Sequence, residues 1–183
     1  MTPEIARQLL DAAGVEDVLR RLAAEIGPHE GEESLLLVGI RRRGVQLAER
    51  LAAILREDTG AEVPTGSLDI TLYRDDLHQI GPFPVIGMTQ IPAEITGRRV
   101  VIVDDVLFTG RTVRAALNEL ADFGRPERIE LCVLVDRGGR QLPVQADYVG
   151  LTVEAGEHDL VEVRVPELDG ESSVTLVTGR EEE

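Results

Sequence analysis

A chain of 183 residues, 43% of them hydrophobic, suits one medium-sized domain able to bury a core. Its 34 acidic residues against 19 basic ones give a formal charge of −15, which opposes broad, sequence-independent attraction to nucleic acid while leaving room for a local basic patch. No stretch reads as a targeting leader, and no apolar run approaches the roughly 18 residues of a membrane span. The single cysteine, Cys132, excludes an internal disulfide and suits a reducing cytoplasm.

In chain order, TPEIARQLLDAAG offers Thr2 as an N-cap and Pro3 in a first turn, and VEDVLRRLAAEI repeats apolar residues at helical spacing. The pattern predicts a helical region ended by Pro28 and the polar HEGEE. SLLLVGI (34–40) reads as a short, fully apolar strand. VQLAERLAAILRED (45–58) places Leu47, Leu51, Ile54 and Leu55 on one helical face and stops at Thr59-Gly60. SLDITLYRDD (67–76) reads as a strand. LHQIGPFPVIGMTQI (77–91), with Gly81, Pro82, Pro84 and Gly87, reads as a loop or exposed hairpin. A VVIV strand (100–103), a helix over Thr112 to Phe123 ending at Gly124, and an IELCVLV strand (129–135) follow. ADYVGLTV, LVEVRVPEL and SSVTLVTG read as short additional strands, and the EEE tail as a frayed end. Strands too apolar to alternate, separated by amphipathic helices, indicate an α/β fold with a parallel sheet covered on both faces, in one domain.

Ligands of open parallel sheets bind at the carboxyl ends of the strands. Three polar clusters fall at such ends: Arg41-Arg42-Arg43-Gly44, Asp104-Asp105, and Asp136-Arg137-Gly138-Gly139-Arg140. Each alone suits a polar strand-to-helix turn; together they suit a polyanionic ligand that also presents hydroxyls. Thr109, Gly110 and Thr112 are small enough to let backbone N–H groups approach a phosphate at the start of the next helix. The adjacent carboxylates cannot favourably face that phosphate and are better placed for sugar hydroxyls or a developing positive charge, so a sugar phosphate fits both halves. Gly39 to Gly44 has the glycine spacing of a P-loop, but Val45-Gln46 stands where Lys-Ser/Thr is required. His29, His78 and His158 make no metal-ligand spacing and read as surface residues.

VVIVDDVLFTGRT (100–112) resembles the phosphoribosyl-pyrophosphate signature of type I phosphoribosyltransferases. LVGIRRRGVQLA, LDITLYRDDL, IPAEITGRRVVIVDDVLFTGRTVRAAL, DFGRP and LCVLVDRGGRQLPVQADYVG look like the PyrR family of bifunctional pyrimidine-operon regulators. The resemblance implies a type I phosphoribosyltransferase fold: a central, mostly parallel sheet flanked by helices, with a flexible hairpin arm over the active site. It implies conversion of uracil and phosphoribosyl pyrophosphate to UMP and pyrophosphate, with Mg²⁺ carried by the donor's pyrophosphate. It also implies binding to the leader of pyrimidine operon mRNA, controlled by UMP or UTP, and a homo-oligomer, dimer or tetramer.

By position, the resemblance gives Val106, Leu107, Phe108, Thr109, Gly110, Arg111 and Thr112 the 5′-phosphate, and Asp104 and Asp105 the ribose hydroxyls. Arg41, Arg42, Arg43 and Gly44 match the pyrophosphate loop. Tyr73 to Ile91 match the arm, with Arg74 free to approach the pyrophosphate, and Asp136 and Arg137 lie on the nucleobase side. Asp104, Asp105 and Arg43 are the expected catalytic groups, stabilising an oxocarbenium-like state and the leaving pyrophosphate. Arg20, Arg21 and Arg140 fall on the family's RNA-binding face. There, however, Ala24, Gln145 and Leu151 replace residues often basic, and TVEAGEHD (152–159) replaces a segment usually polar to basic. Arg42 stands where threonine is usual, and Gly139 where histidine is usual. Two other readings compete: an RNA-binding attenuator that senses UMP or UTP with little catalysis, and a purine phosphoribosyltransferase.

Overall fold

The computed structural model describes residues 5–27, 34–73 and 87–178. Thr2, Pro3, His29, His78 and Arg74, with most of the 73–91 arm, lie outside the described residues. The elements run β1 (Ile5–Leu10), α1 (Ala12–Ile26), β2 (Leu35–Ile40), α2 (Arg43–Thr59), β3 (Thr65–Leu68), a 3₁₀ turn (Ile70–Tyr73), β4 (Arg99–Leu107), α3 (Arg111–Ala121), β5 (Arg128–Asp136), β6 (Tyr148–Thr152), β7 (Leu160–Arg164), α4 (Pro166–Asp169) and β8 (Ser173–Thr178).

Five strands form one sheet in the order β3-β2-β4-β5-β6, every pair parallel. Alternation of side chains across each strand explains why the central strands are apolar throughout. Leu35, Leu37, Val101, Val103, Cys132 and Leu134 pack with Leu19 and Leu22 of α1 and Leu47 and Leu51 of α2. Leu36, Val38, Val100, Ile102, Leu131 and Val133 pack on the other face with Val113, Ala116 and Leu120 of α3. Burial pushes the Cys132 thiol up to about 12, so it behaves as a small hydrophobe.

The expected helix from Thr2 is corrected. Residues 5–10 form β1, which pairs antiparallel with β8, and β8 pairs with β7, making a second sheet of order β1-β8-β7. The helix begins only after Asp11, whose carboxylate accepts the Gly14 N–H at 2.8 Å. Tertiary pairing with a strand more than 160 residues away overrides a locally helical pattern. Val161, Val163, Val174 and Leu176 of this small sheet join the core beside α1 and α2, so it caps that side of the molecule.

The strand expected over 67–76 is also shorter. It ends at Leu68 because the Asp69 carboxylate accepts the Thr71 N–H at 3.0 Å and the Thr71 hydroxyl at 2.5 Å, winding the chain into the 3₁₀ turn. The LVEVRVPEL strand likewise stops at Arg164, where Pro166 starts the single turn of α4. At the amino ends of β4 and β5, Arg99 and Glu130 form a buried ion pair at 2.7 Å, and Arg99 also donates to the Tyr148 hydroxyl at 2.8 Å. No described helix is long and apolar enough to cross a membrane.

Candidate functional site

The carboxyl ends of β2, β4 and β5 bring the three polar clusters to one edge of the sheet. Two glycines fix how closely the first two approach. A β-carbon on Gly39 would stand 2.4 Å from the Gly44 carbonyl oxygen, and one on Gly44 would stand 2.4 Å from that of Val103. Only glycine lets the arginine loop and the first turn of α2 lie directly against β4 where Asp104 begins. The Arg41–Arg42 peptide in this loop is cis.

β4 continues in register with β5 through Asp104, Val106 and Leu107, so both carboxylates project from a strand and not from a loop. Asp104 is buried, with Oδ1 accepting the Asp105 N–H at 2.9 Å. Burial first, and then the neighbouring Asp105 charge, raise its carboxyl well above the usual range. Asp105 is only half-buried, and its Oδ1 accepts the Val106 N–H at 2.8 Å. It lines two cavities. One, of about 550 Å³, is walled by Arg41, Arg42, Asp69, Thr71, Gly87 and Thr112. The other, of about 490 Å³, is walled by Arg43, Arg164, Asp169 and the length of β7.

Between β4 and α3, Gly110 sits at φ 92°, a left-handed conformation favouring glycine, and α3 begins with no side-chain cap. The Thr109 hydroxyl accepts the Arg111 N–H at 3.3 Å, and the Thr109 carbonyl accepts the Gln141 and Leu142 N–H groups at 3.0 and 3.2 Å. The turn is therefore braced from behind while Thr112 faces the larger cavity. A helix N-terminus presented this way suits an anion.

The third cluster is engaged internally. Asp136 accepts from Arg140 at 2.5 Å and from the Gly138 N–H at 2.9 Å. Burial pushes the Asp136 carboxyl up, but the Arg140 and Gly138 hydrogen bonds outweigh it and hold it below the ordinary range. Arg140 also donates to the carbonyls of Phe108 at 2.9 Å and Val144 at 3.0 Å, so the structure turns this arginine, expected on an RNA-binding face, into the loop. Arg137 is buried, lies 3.9 Å from the Phe108 ring centroid, and donates to the Asp159 and Gly156 carbonyls. Gly139, at φ 76°, passes so close to Phe108 that a β-carbon would meet its ring at 2.4 Å. The side chains of Asp136, Arg137 and Arg140 thus hold the loop together.

Arg20 and Arg21 are paired as well. Arg20 reaches Glu16 and Glu57 at 3.2 Å and Asp58 at 3.5 Å, while Arg21 reaches Glu25 at 2.7 Å and the Gly150 carbonyl at 2.5 Å. Arg41 donates to the Met88 carbonyl at 2.8 Å and the Ser67 hydroxyl at 3.3 Å. His158 is exposed. Among the described residues no three His, Cys, Asp or Glu side chains assemble into a metal-holding group.

Sequence reasoning missed several residues of the site. Asp69 and Thr71 stand at the carboxyl end of β3, and the strand-end rule did not reach them because the expected strand ran on to residue 76. Asp169 grips Arg43 from a turn that carries no motif. Glu119, buried on α3, takes the Thr89 hydroxyl hydrogen bond, and Asp122 takes that of Tyr73, tying Tyr73 and Thr89 to α3 and its C-terminal end, behind the turn at 109–112.

Comparison with known proteins agrees with this geometry. The phosphoribosyl transferase domain model matches residues 6–169. The Bifunctional protein PyrR of Pelotomaculum thermopropionicum is 52% identical over 171 residues, covering 93% of this chain and 94% of its own. That of Chloroflexus aurantiacus is 52% identical over 174 residues, covering 94% and 96%. In fold, the chain is similar to the hypoxanthine phosphoribosyltransferase of Trypanosoma cruzi, with a TM-score of 0.69 at 18% identity over 93% of this chain and 95% of that one. With the arginine loop, the paired carboxylates and the glycine-bearing turn gathered on one sheet edge, the chain belongs to the phosphoribosyltransferase family, among its PyrR proteins.

Proposed function

We propose that the chain is a uracil phosphoribosyltransferase, joining uracil N1 to the anomeric carbon of phosphoribosyl pyrophosphate and releasing pyrophosphate. The observation that carries this reading is Asp105, half-buried between two cavities, with arginines in the walls of both and the start of α3 at one of them. A ribose 5-phosphate seated on the turn at 109–112 would present its hydroxyls to Asp104 and Asp105 and its anomeric substituent to the arginine loop. As the bond to pyrophosphate lengthens, positive charge grows on the ring. A fixed carboxylate favours that charge, and Arg43 favours the negative charge of the departing group. The two half-reactants are held in line and no covalent nucleophile is needed.

Mg²⁺ is proposed to arrive on the pyrophosphate of the donor, where phosphate oxygens and water supply most of its ligands. When bound there it would supply charge neutralisation, with Asp69, Asp104 and Asp105 the acids lining the larger cavity. Uracil is placed ahead of a purine in this reading because the resemblance to the PyrR family implies it, and selection would rest on the backbone of 136–139.

RNA binding is proposed to be weak. Three carboxylates surround Arg20, Glu25 holds Arg21, and Arg140 points into its own loop, so few cations remain on that face to meet phosphates. A substrate screen with phosphoribosyl pyrophosphate tests the first part: uracil should be consumed and hypoxanthine and guanine should not, and purine turnover at comparable rates would overturn the assignment. Filter binding of a pyrimidine-leader hairpin tests the second. Tight, salt-sensitive, UMP-stimulated retention would restore the attenuator reading.

A further inference from the structure

Asp169 plays no part in the chemistry above, yet it makes the most specific contact that any arginine of the loop has. The Arg43 guanidinium donates from Nε to Oδ2 at 3.1 Å and from Nη2 to Oδ1 at 2.8 Å, a two-bonded fork between the arginine loop and α4. Hydrogen bonding to this carboxylate raises the Arg43 pKa and holds the Asp169 carboxyl below its ordinary range. A side-on fork fixes the plane of a guanidinium as well as its position. It also leaves the opposite edge free: among the described residues, Nη1 of Arg43 donates to no protein atom. Arg43, Asp169 and Asp105 line the same cavity of about 490 Å³.

We infer that Asp169 is a positioning residue for pyrophosphate, orienting Arg43 so that its free edge faces the cavity beside Asp105. This rests on the proposal that Arg43 meets the leaving group. The carboxylate holds one edge of the guanidinium, and the phosphate oxygens take the other. An arginine released from that hold would keep its charge but lose its fixed plane, and a planar donor set depends on that plane. The expected consequence is selective: binding of pyrophosphate and its donor weakens, and binding of the nucleobase does not.

Asp169 also accepts the Val165 N–H at 2.8 Å, closing the turn of α4, so the variant must spare that bond. Asp169→Asn keeps one oxygen for Val165 and places an amide NH2 group where the second acceptor stood. The experiment is a double-mutant cycle of Asp169→Asn and Arg43→Gln, read by calorimetric titration of inorganic pyrophosphate with Mg²⁺ and by KM for each substrate. Asp169→Asn should weaken pyrophosphate and raise the KM for phosphoribosyl pyrophosphate about tenfold, leaving the uracil KM and the melting temperature near wild type. In the Arg43→Gln background it should add little. Full additivity, or an equal rise in both KM values, would make Asp169 a structural residue of α4 and overturn the inference. Unchanged pyrophosphate binding in Arg43→Gln would remove Arg43 from the leaving group and the inference with it. Because pyrophosphate is titrated without a nucleobase, failure of the uracil assignment alone is distinguishable from either result.

Discussion

Replacing Gly44 by alanine tests whether the approach of the arginine loop to β4 matters for the chemistry. The added methyl would meet the Val103 carbonyl oxygen at 2.4 Å and the Asp104 Cα at 3.3 Å, both backbone atoms that cannot swing aside. Restoring ordinary contact at 3.4 Å needs the first turn of α2 to retreat by about 1 Å, against a fold whose core residues on either side are fully buried. Overpacking of this kind costs about 1–3 kcal/mol, a fall of roughly 2–12 °C in melting temperature for a domain of this size. A displacement of about 1 Å at a reacting group costs on the order of a hundredfold in rate. The assay is UMP formation from labelled uracil at saturating substrates, alongside thermal unfolding. Gly60→Ala is the control: Gly60, unlike Gly44, takes a left-handed conformation at the end of α2, with nothing within 4 Å of the added carbon, so it should lose about 1 kcal/mol and no activity. Gly44→Ala with wild-type turnover and melting temperature would refute the requirement for close approach.

Two further outcomes follow from buried charge. The carboxyl of Asp104 is raised above its value in the unfolded chain, so the native state binds the extra proton and stability falls as pH rises through the window between the ordinary carboxylate range and the raised value. Asp104→Asn keeps the acceptor for the Asp105 N–H and should gain about 1–3 kcal/mol at neutral pH while losing activity, the gain vanishing in acid; equal pH profiles for both proteins would contradict this. At the far end of the sheet, Glu130→Ala strands the buried Arg99 charge and should cost about 3–5 kcal/mol in denaturant unfolding, with turnover per folded molecule unchanged; a loss under 1 kcal/mol would contradict the pairing.

The central strands and the signature on β4 were legible because each carries its information locally. A run such as Val100 to Val103 is apolar on both faces, and the two acids, the turn glycine and the helix start follow it directly. β1 was not legible, because its strand character comes from β8 at the other end of the chain and its own residues keep a helical spacing. The fates of the arginines were not legible either. Arg41, Arg43 and Arg140 stand in motifs that suggest free cations, yet their partners are Met88, Asp169 and Asp136, and of these only Asp136 is near in sequence. Charge signs can be read from a chain, but which charges are already neutralised depends on tertiary geometry.

Asp105 offers the most direct test of catalysis at this site. Its Oδ1 accepts the Val106 N–H, a bond that asparagine preserves, so Asp105→Asn should fold and melt within a few degrees of wild type. The measurement is single-turnover formation of UMP from labelled uracil and phosphoribosyl pyrophosphate, with wild type and variant at equal concentration. Loss of the carboxylate beside the developing positive charge should slow the step by about 10²–10³-fold. Near-normal UMP formation by the folded variant would contradict the assignment of this site.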